Sequence, residues 1–205
     1  LAVLFIRAFI LQAYVIPTGS MEDTFLPGDF LFVFKPVYGF VIPFSSVKVP
    51  ERVYPKRGET VVFRFPYEPK DYIKRVIALE GDTVEIINKK VYVNGRPLKE
   101  PYAVFKDRNI IEWPYEVPPE QFQKIWESGG FMGTEWVRDN FGPVVVPKGH
   151  IFVLGDNRDF SWDSRFWGPL DVKLLRGKPL LIYFSWDPDR HRVRFGRMFR
   201  LVWNW

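Results

Sequence analysis

The chain has 205 residues, 47% hydrophobic and 26% charged, with a formal net charge of +5. This composition excludes an intrinsically disordered chain, and the length suits one sizeable domain or one core with an insertion. No cysteine is present, which excludes disulfides, thiolate chemistry and cysteine-based zinc sites; the mild positive charge fits an anionic membrane surface or nucleic acid, neither strongly.

Aromatic residues make up 18% of the chain, which leans toward strands, while 18 prolines and 15 glycines interrupt it too often for long helices. Leu1 to Ile16, LAVLFIRAFILQAYVI, is apolar apart from Arg7 and Gln12. Crossing a bilayer takes about 20 such residues. The run therefore reads as the end of a transmembrane helix over residues 1–15, whose beginning lies upstream; a buried strand or helix is the competing reading. A secretory signal peptide fits less well, because neither a basic leading region nor a small-residue cleavage site is present.

Next comes IPTGSMEDTFLPGD, Ile16 to Asp29, with Ser20 between Gly19 and Met21 and a second hydroxyl at Thr18. A serine presented on such a turn is a nucleophile if a base stands beside it, and an ordinary turn residue otherwise. Asp29 opens the strand candidate DFLFVFKPVYG, followed by a loop holding Pro43, Pro50 and Pro55. TVVFRF, YIKRVIAL and TVEII read as further strands, and Asn94-Gly95 reads as the turn of a hairpin joining TVEII to KKVYV. Gly28-Asp29, Gly58-Glu59, Gly81-Asp82 and Gly155-Asp156 each read as a turn leading into a strand.

From 97 to 145 the pattern loosens into an inserted lobe, in which PEQFQKIWES, Pro119 to Ser128, predicts one short helix with proline at its start and Gly129-Gly130 past its end. HIFVL then leads into GDNRDFSWDSRFWG, Gly155 to Gly168, and KPLLIYFSWD gives a last strong strand. The tail alternates basic and aromatic residues. It reads either as a terminal strand or as a segment touching lipid through Trp203 and Trp205. The expected fold is mainly β: an antiparallel catalytic core from 16–96 and 146–205, with the smaller β-rich lobe inserted.

A serine hydroxyl needs a general base to attack an amide. Only His150 and His191 are available as histidines, neither within a recognisable motif, so a triad with Asp156 is possible on paper only. Lys74 is the stronger candidate. In YIKRVIAL it shares a face with Tyr72 and Val76, and apolar surroundings favour a neutral amine. A free lysine titrates near ~10.4, leaving about one in a thousand neutral at neutral pH. The competing reading is a lysine that snorkels to the surface, as Arg75 beside it would. The charges of Gly155 to Gly168 read either as a solvated loop or as a buried polar network in which Asp163 and Arg165 pair and Ser161 holds an amine.

Three segments, PTGSM, PKRGETVVF…DYIKRVIALEGD and GDNRDFSWDSRFWG, together resemble, in order, the characteristic boxes of bacterial type I signal peptidase (leader peptidase). The resemblance implies a Ser-Lys protease on a β-rich fold at the bacterial cytoplasmic membrane. Its catalytic domain would lie on the outer side, removing signal peptides from exported preproteins. It implies Ser20 as nucleophile and Lys74 as general base, with the Ser20 N–H and the Thr18 hydroxyl as oxyanion hole. Ser161 would orient the lysine. Asp163 and Arg165 would shape the site, with Gly155 and Asp156 in the same box. Tyr14, Ile16, Pro17, Met21, Tyr72 and Ile73 would form shallow apolar pockets for small substrate side chains. Signal peptides and phospholipid would be the partners, nucleic acid would not, and no metal or cofactor is implied. Threonine at position 18 and aspartate at 23 depart from the usual residues, and Trp162 is bulkier than expected. Two rivals are a relative of the self-cleaving SOS repressors, disfavoured by the apolar start, and a non-enzymatic membrane-anchored β-module.

Overall fold

The computed structural model describes residues 10–41, 48–50, 53–114 and 116–202. In chain order the strands are β1 (Leu11–Val15), β2 (Asp29–Phe34), β3 (Phe40–Val41), β4 (Lys48–Val49), β5 (Thr60–Arg64), β6 (Asp71–Ala78), β7 (Thr83–Ile87), β8 (Lys90–Val93), β9 (Arg96–Pro97), β10 (Phe141–Val145), β11 (His150–Leu154), β12 (Leu170–Asp171), β13 (Leu175–Asp187), β14 (Arg192–Val193) and β15 (Arg200–Leu201). Two helices join them, α1 (Pro119–Glu127) and the single turn α2 (Ser164–Trp167).

The larger sheet runs β1-β2-β13-β5-β6-β11-β12, with β14 and β15 also paired to β13, and every strand pair in it is antiparallel. Its spine is β13, whose 13 residues carry register shifts between Leu175/Gly177, Pro179/Leu181 and Ile182/Phe184. Such irregularities bend a strand and increase its twist. They let one strand pair with β5 near its start and with β2 over the rest. The smaller sheet, β10-β7-β8-β9, packs on the larger through an apolar cluster. That cluster joins Ile77, Phe152 and Leu154 to Val84, Ile86 and Phe141, under Phe122 and Trp126 of α1.

The mainly antiparallel β reading holds, and several details are corrected. Residues 1–9 of the expected membrane helix lie outside the described residues, but Leu11–Val15 is a strand paired along β2, and its residues are intermediate or exposed. Among the described residues no helix is long and apolar enough to cross a membrane. The hairpin between β7 and β8 turns at Asn88-Lys89, with φ of 48° and 70°, while Asn94-Gly95 makes the following turn into β9. Asparagine tolerates positive φ at either place, so the Asn-Gly signal was genuine but one turn late. A division at 97 cuts the smaller sheet, which takes strands from 83–97 as well as 141–145. Gly28, Gly58 and Gly81 hold positive φ at strand entries. Gly155-Asp156 instead follows the end of β11, and its glycine serves another purpose. Of the tail, Arg192–Val193 and Arg200–Leu201 pair with β13; Trp203 and Trp205 lie outside the described residues.

Candidate active site

The turn carrying Ser20 is fixed on both flanks. Ile16 N–H donates to the Asp29 carbonyl at 2.9 Å and Gly28 N–H to the Ile16 carbonyl at 2.9 Å, which closes the loop at its neck. Met21 and Phe25 are fully buried among Leu31, Val33, Val62 and Ile182. Ser20 therefore sits in a short 3-10 turn, Gly19–Met21, whose next side chain is an apolar anchor. Thr18 precedes it in extended conformation, exposed, with its side chain making no capping bond.

Across from it, β6 pairs with β5 over Asp71–Arg75 but with β11 only at Arg75, Val76 and Ala78. Among the described residues, 71–74 thus leave one backbone edge unpaired, and β1 is the edge strand of the same sheet. Between them lies a cleft of about 810 Å³, lined by Tyr14, Ile16, Pro17, Thr18 and Ser20 on one side and by Tyr72, Ile73 and Lys74 on the other. Phe160 and Trp162 stand at its mouth. Tyr14 O–H donates to Asp71 Oδ2 at 2.9 Å from β1 to β6. Burial, reinforced by that carboxylate, raises the Tyr14 hydroxyl well above the usual range, so it stays protonated. Met21 is not on the cleft lining; it is the anchor beneath the turn.

Lys74 Nζ lies 2.8 Å from Ser20 Oγ. The side chain is 4% exposed, which corrects the snorkelling reading. Burial pushes the amine down to about 8; the Asp163 and Asp156 charges oppose this, and Arg165 assists it. Arg75, expected at the surface, is also buried. Its guanidinium grips Asp156 through Nε to Oδ1 at 2.7 Å and Nη2 to Oδ2 at 2.6 Å, donates to the Gly58 carbonyl at 2.7 Å, and lies over the Tyr102 ring at 4.0 Å. Thr24 O–H donates to Asp156 Oδ2 at 2.5 Å, tying the Ser20 turn to the same pair. Neither Arg75 nor Thr24 was among the sequence candidates. The only signal for Arg75 was its place beside Lys74, and alternation put it on the opposite face.

The segment Gly155 to Gly168 is a buried polar network. Asp163 accepts from Arg165 Nε at 2.8 Å and Nη2 at 2.9 Å, caps α2 through Arg165 N–H, and accepts from Gly155 N–H at 3.1 Å. Ser161 is 6% exposed, and its Oγ has no hydrogen-bond partner among the described residues. The expected bond from Ser161 to the lysine is therefore not formed in this conformation. Gly155 fits where a side chain cannot. A Cβ there would come within 2.5 Å of the Ser20 carbonyl oxygen and closer still to the Ser161 side chain. Gly155→Ala is expected to lower kcat by about a hundredfold through displacement of the Ser20 turn, with a loss of ~1–3 kcal/mol in stability from overpacking. Turnover and urea unfolding check the two parts separately.

Residues 100–107 run along the back of this network. Glu100 accepts from Arg158 at 2.9 and 2.6 Å, Val104 N–H donates to the Asp156 carbonyl at 2.8 Å, and Asp159 accepts from the Lys106 and Asp107 N–H groups at 2.6 and 2.8 Å. Lys106 also pairs with Glu22, just past the serine. His150, at the start of β11, and His191, in the turn before β14, do not line the cleft. Asp156, the third member of the paper triad, is engaged by Arg75 and Thr24.

A family model described as signal peptidase, peptidase S26, matches residues 1–186. The chain is 37% identical to signal peptidase I of Aquifex aeolicus, over 90% of this chain and 80% of that one. It is 36% identical to signal peptidase I of Pseudomonas aeruginosa, over 91% and 69%. A crystal structure of a signal peptidase I from Enterococcus faecalis matches with 29% identity, 62% and 97% coverage and a TM-score of 0.42.

Proposed function

We infer the reaction from one premise: the chain belongs to the signal peptidase family, peptidase S26, and is a serine peptidase. The reading is an endopeptidase that cleaves signal peptides from exported preproteins through a Ser-Lys dyad and an acyl-enzyme. The observation that carries it is the 2.8 Å approach of Lys74 Nζ to Ser20 Oγ, with the amine buried and held near 8.

The substrate enters the cleft in extended form, where the open edges of β1 and β6 offer backbone partners. Small side chains before the scissile bond rest against Ile16, Pro17, Tyr72 and Ile73. Neutral Lys74 takes the Ser20 proton as Oγ attacks the carbonyl carbon. The oxyanion formed is held by the Ser20 N–H and the Thr18 hydroxyl, donors positioned before reaction. Collapse breaks the C–N bond, and the lysine's proton passes to the leaving amine. Lys74 then deprotonates a water that attacks the ester, releasing the signal peptide's new carboxylate and freeing Ser20. Asp163 and Arg165 hold the loop beneath the amine, and Ser161 orients Lys74 after a change of its side-chain rotamer.

The work takes place at the outer face of a bacterial cytoplasmic membrane. Support comes from the apolar start of the sequence and from Phe195, Phe199 and Leu201, which are 78%, 71% and 67% exposed among the arginines of the C-terminal segment.

An acylating penem-type β-lactam is expected to form an adduct on Ser20 and to block preprotein cleavage. The rate constant kcat/KM should rise tenfold per pH unit below about 8 and level off above it, since the base acts only when deprotonated. An adduct elsewhere, with cleavage undiminished in Ser20→Ala, refutes the assignment.

A further inference from the structure

We infer that Asn157 is a positioning residue for the nucleophile, holding the peptide planes on both sides of Ser20. Its side-chain Nδ2 donates to the Gly19 carbonyl at 3.1 Å, and its backbone N–H donates to the Ser20 carbonyl at 3.2 Å. The Gly19 carbonyl and the Ser20 N–H belong to one rigid peptide unit and point in opposite directions. A donor fastened to the carbonyl end fixes where the N–H end aims. It also polarises the unit, as one hydrogen bond strengthens the next along a chain. The second bond holds the following unit. Together they set the direction in which Ser20 presents its oxygen and its amide.

Asn157 is itself well fixed. It is 2% exposed, and its neighbours are laced to Val104: Val104 N–H donates to the Asp156 carbonyl at 2.8 Å, and Arg158 N–H donates to the Val104 carbonyl at 3.0 Å. The amide orientation follows from chemistry, because a carbonyl oxygen only accepts and so requires the NH₂ group. The other half of the amide, Oδ1, is buried without a hydrogen-bond partner among the described residues. The Nδ2 bond to the Gly19 carbonyl is thus the hydrogen bond that the side-chain amide makes among the described residues.

This inference rests on the reading of Ser20 as nucleophile, and its test separates the two. Ser20→Ala, Asn157→Ala and the isosteric Asn157→Asp are assayed on a preprotein, with thermal unfolding measured in parallel on the whole 205-residue chain. Both Asn157 variants are expected to lose roughly ten- to a hundredfold in kcat, with KM within about threefold of the parent. In Asn157→Ala the pH at which kcat/KM levels off should not move, because no charge near the lysine is added or removed. On the unmutated protein, a peptide aldehyde ending in alanine, added to ¹⁵N-labelled material, should shift the Asn157 side-chain NH₂ resonance as the oxyanion forms on the next amide. Inactive Ser20→Ala beside a folded Asn157 variant with parental kcat overturns this inference alone. An unmoved NH₂ resonance in an aldehyde-bound parent also overturns it, and decides the matter if both variants unfold. Cleavage by Ser20→Ala instead sinks the nucleophile assignment beneath it.

Discussion

Lys74→Met is expected to abolish preprotein cleavage while making the protein more stable at neutral pH. The loss should reach about ten-thousandfold in kcat or more, since a serine without its base retains only what binding and the oxyanion site supply. The gain in stability follows from the proton balance. The amine's ordinary value of 10.5 falls to about 8 on folding, with burial as the main cause. Between those pH values the unfolded chain holds a proton that the folded chain lacks, so stability rises with pH across this window. Below about 8 both states are protonated, and the buried charge then costs about 3 kcal/mol. Methionine fills a similar volume without charge. It forgoes the contact with Ser20, worth ~1 kcal/mol. The net gain at pH 7 should be about 2 kcal/mol, shrinking toward zero or below as the pH passes 10. Urea unfolding at pH 7 and pH 10.5 measures it. A variant less stable than the parent at pH 7, or one retaining several percent of its turnover, would contradict the idea of a buried base held against its own charge.

Arg75→Met should have the opposite character, destabilising the whole chain by roughly 3–5 kcal/mol. Asp156 is fully buried, and the two guanidinium bonds from Arg75 are its charge partners. Removing the arginine strands a carboxylate in the interior, with Thr24 as its remaining side-chain donor among the contacts described. A loss of that size is a large part of the 5–15 kcal/mol typical of a folded protein. Acid should partly restore the variant, because protonation neutralises the stranded group. Arg75→Met combined with Asp156→Leu should recover most of the stability, as an apolar pair of similar bulk replaces a buried ion pair at little penalty. In that double variant the charge of Asp156 no longer supports the lysine's proton, so the rise of kcat/KM with pH should move to lower pH. Equal unfolding midpoints for the single and double variants would show that the pair is not what holds this region.

The strands were legible because their residues alternate or run apolar between turn signals. DFLFVF, TVVFR and HIFVL fall where β2, β5 and β11 stand. The helix in the insertion was legible from a proline at its start and two glycines after its end. Less could be read from Leu1 to Val15, where low polarity suits a bilayer and a sheet edge alike; pairing with β2 decided the matter for Leu11–Val15. Arg75 escaped notice because alternation describes a strand with one wet face, whereas β6 is buried from Lys74 to Ala78. The approach of Lys74 to Ser20 was proposed from motifs, yet 54 positions separate the two residues, and no local pattern carries that distance. The bond expected from Ser161 depends on where its Oγ is placed, and that atom is buried without a partner among the described residues.

The stretch from Glu100 to Asp107 touches three separate pieces of the catalytic region: the strand bearing the lysine through Tyr102, the turn bearing the serine through Lys106, and the loop between Asp156 and Asp159. The smaller lobe also reaches this region through Lys89 on Asp159, Trp126 on the Ser164 carbonyl and the Arg138 carbonyl on Arg165. Substitutions at exposed positions of that lobe, such as Ile110 and Met132, should accordingly leave turnover near the parental value. A deletion of even one residue inside the brace would pull all three pieces out of alignment at once.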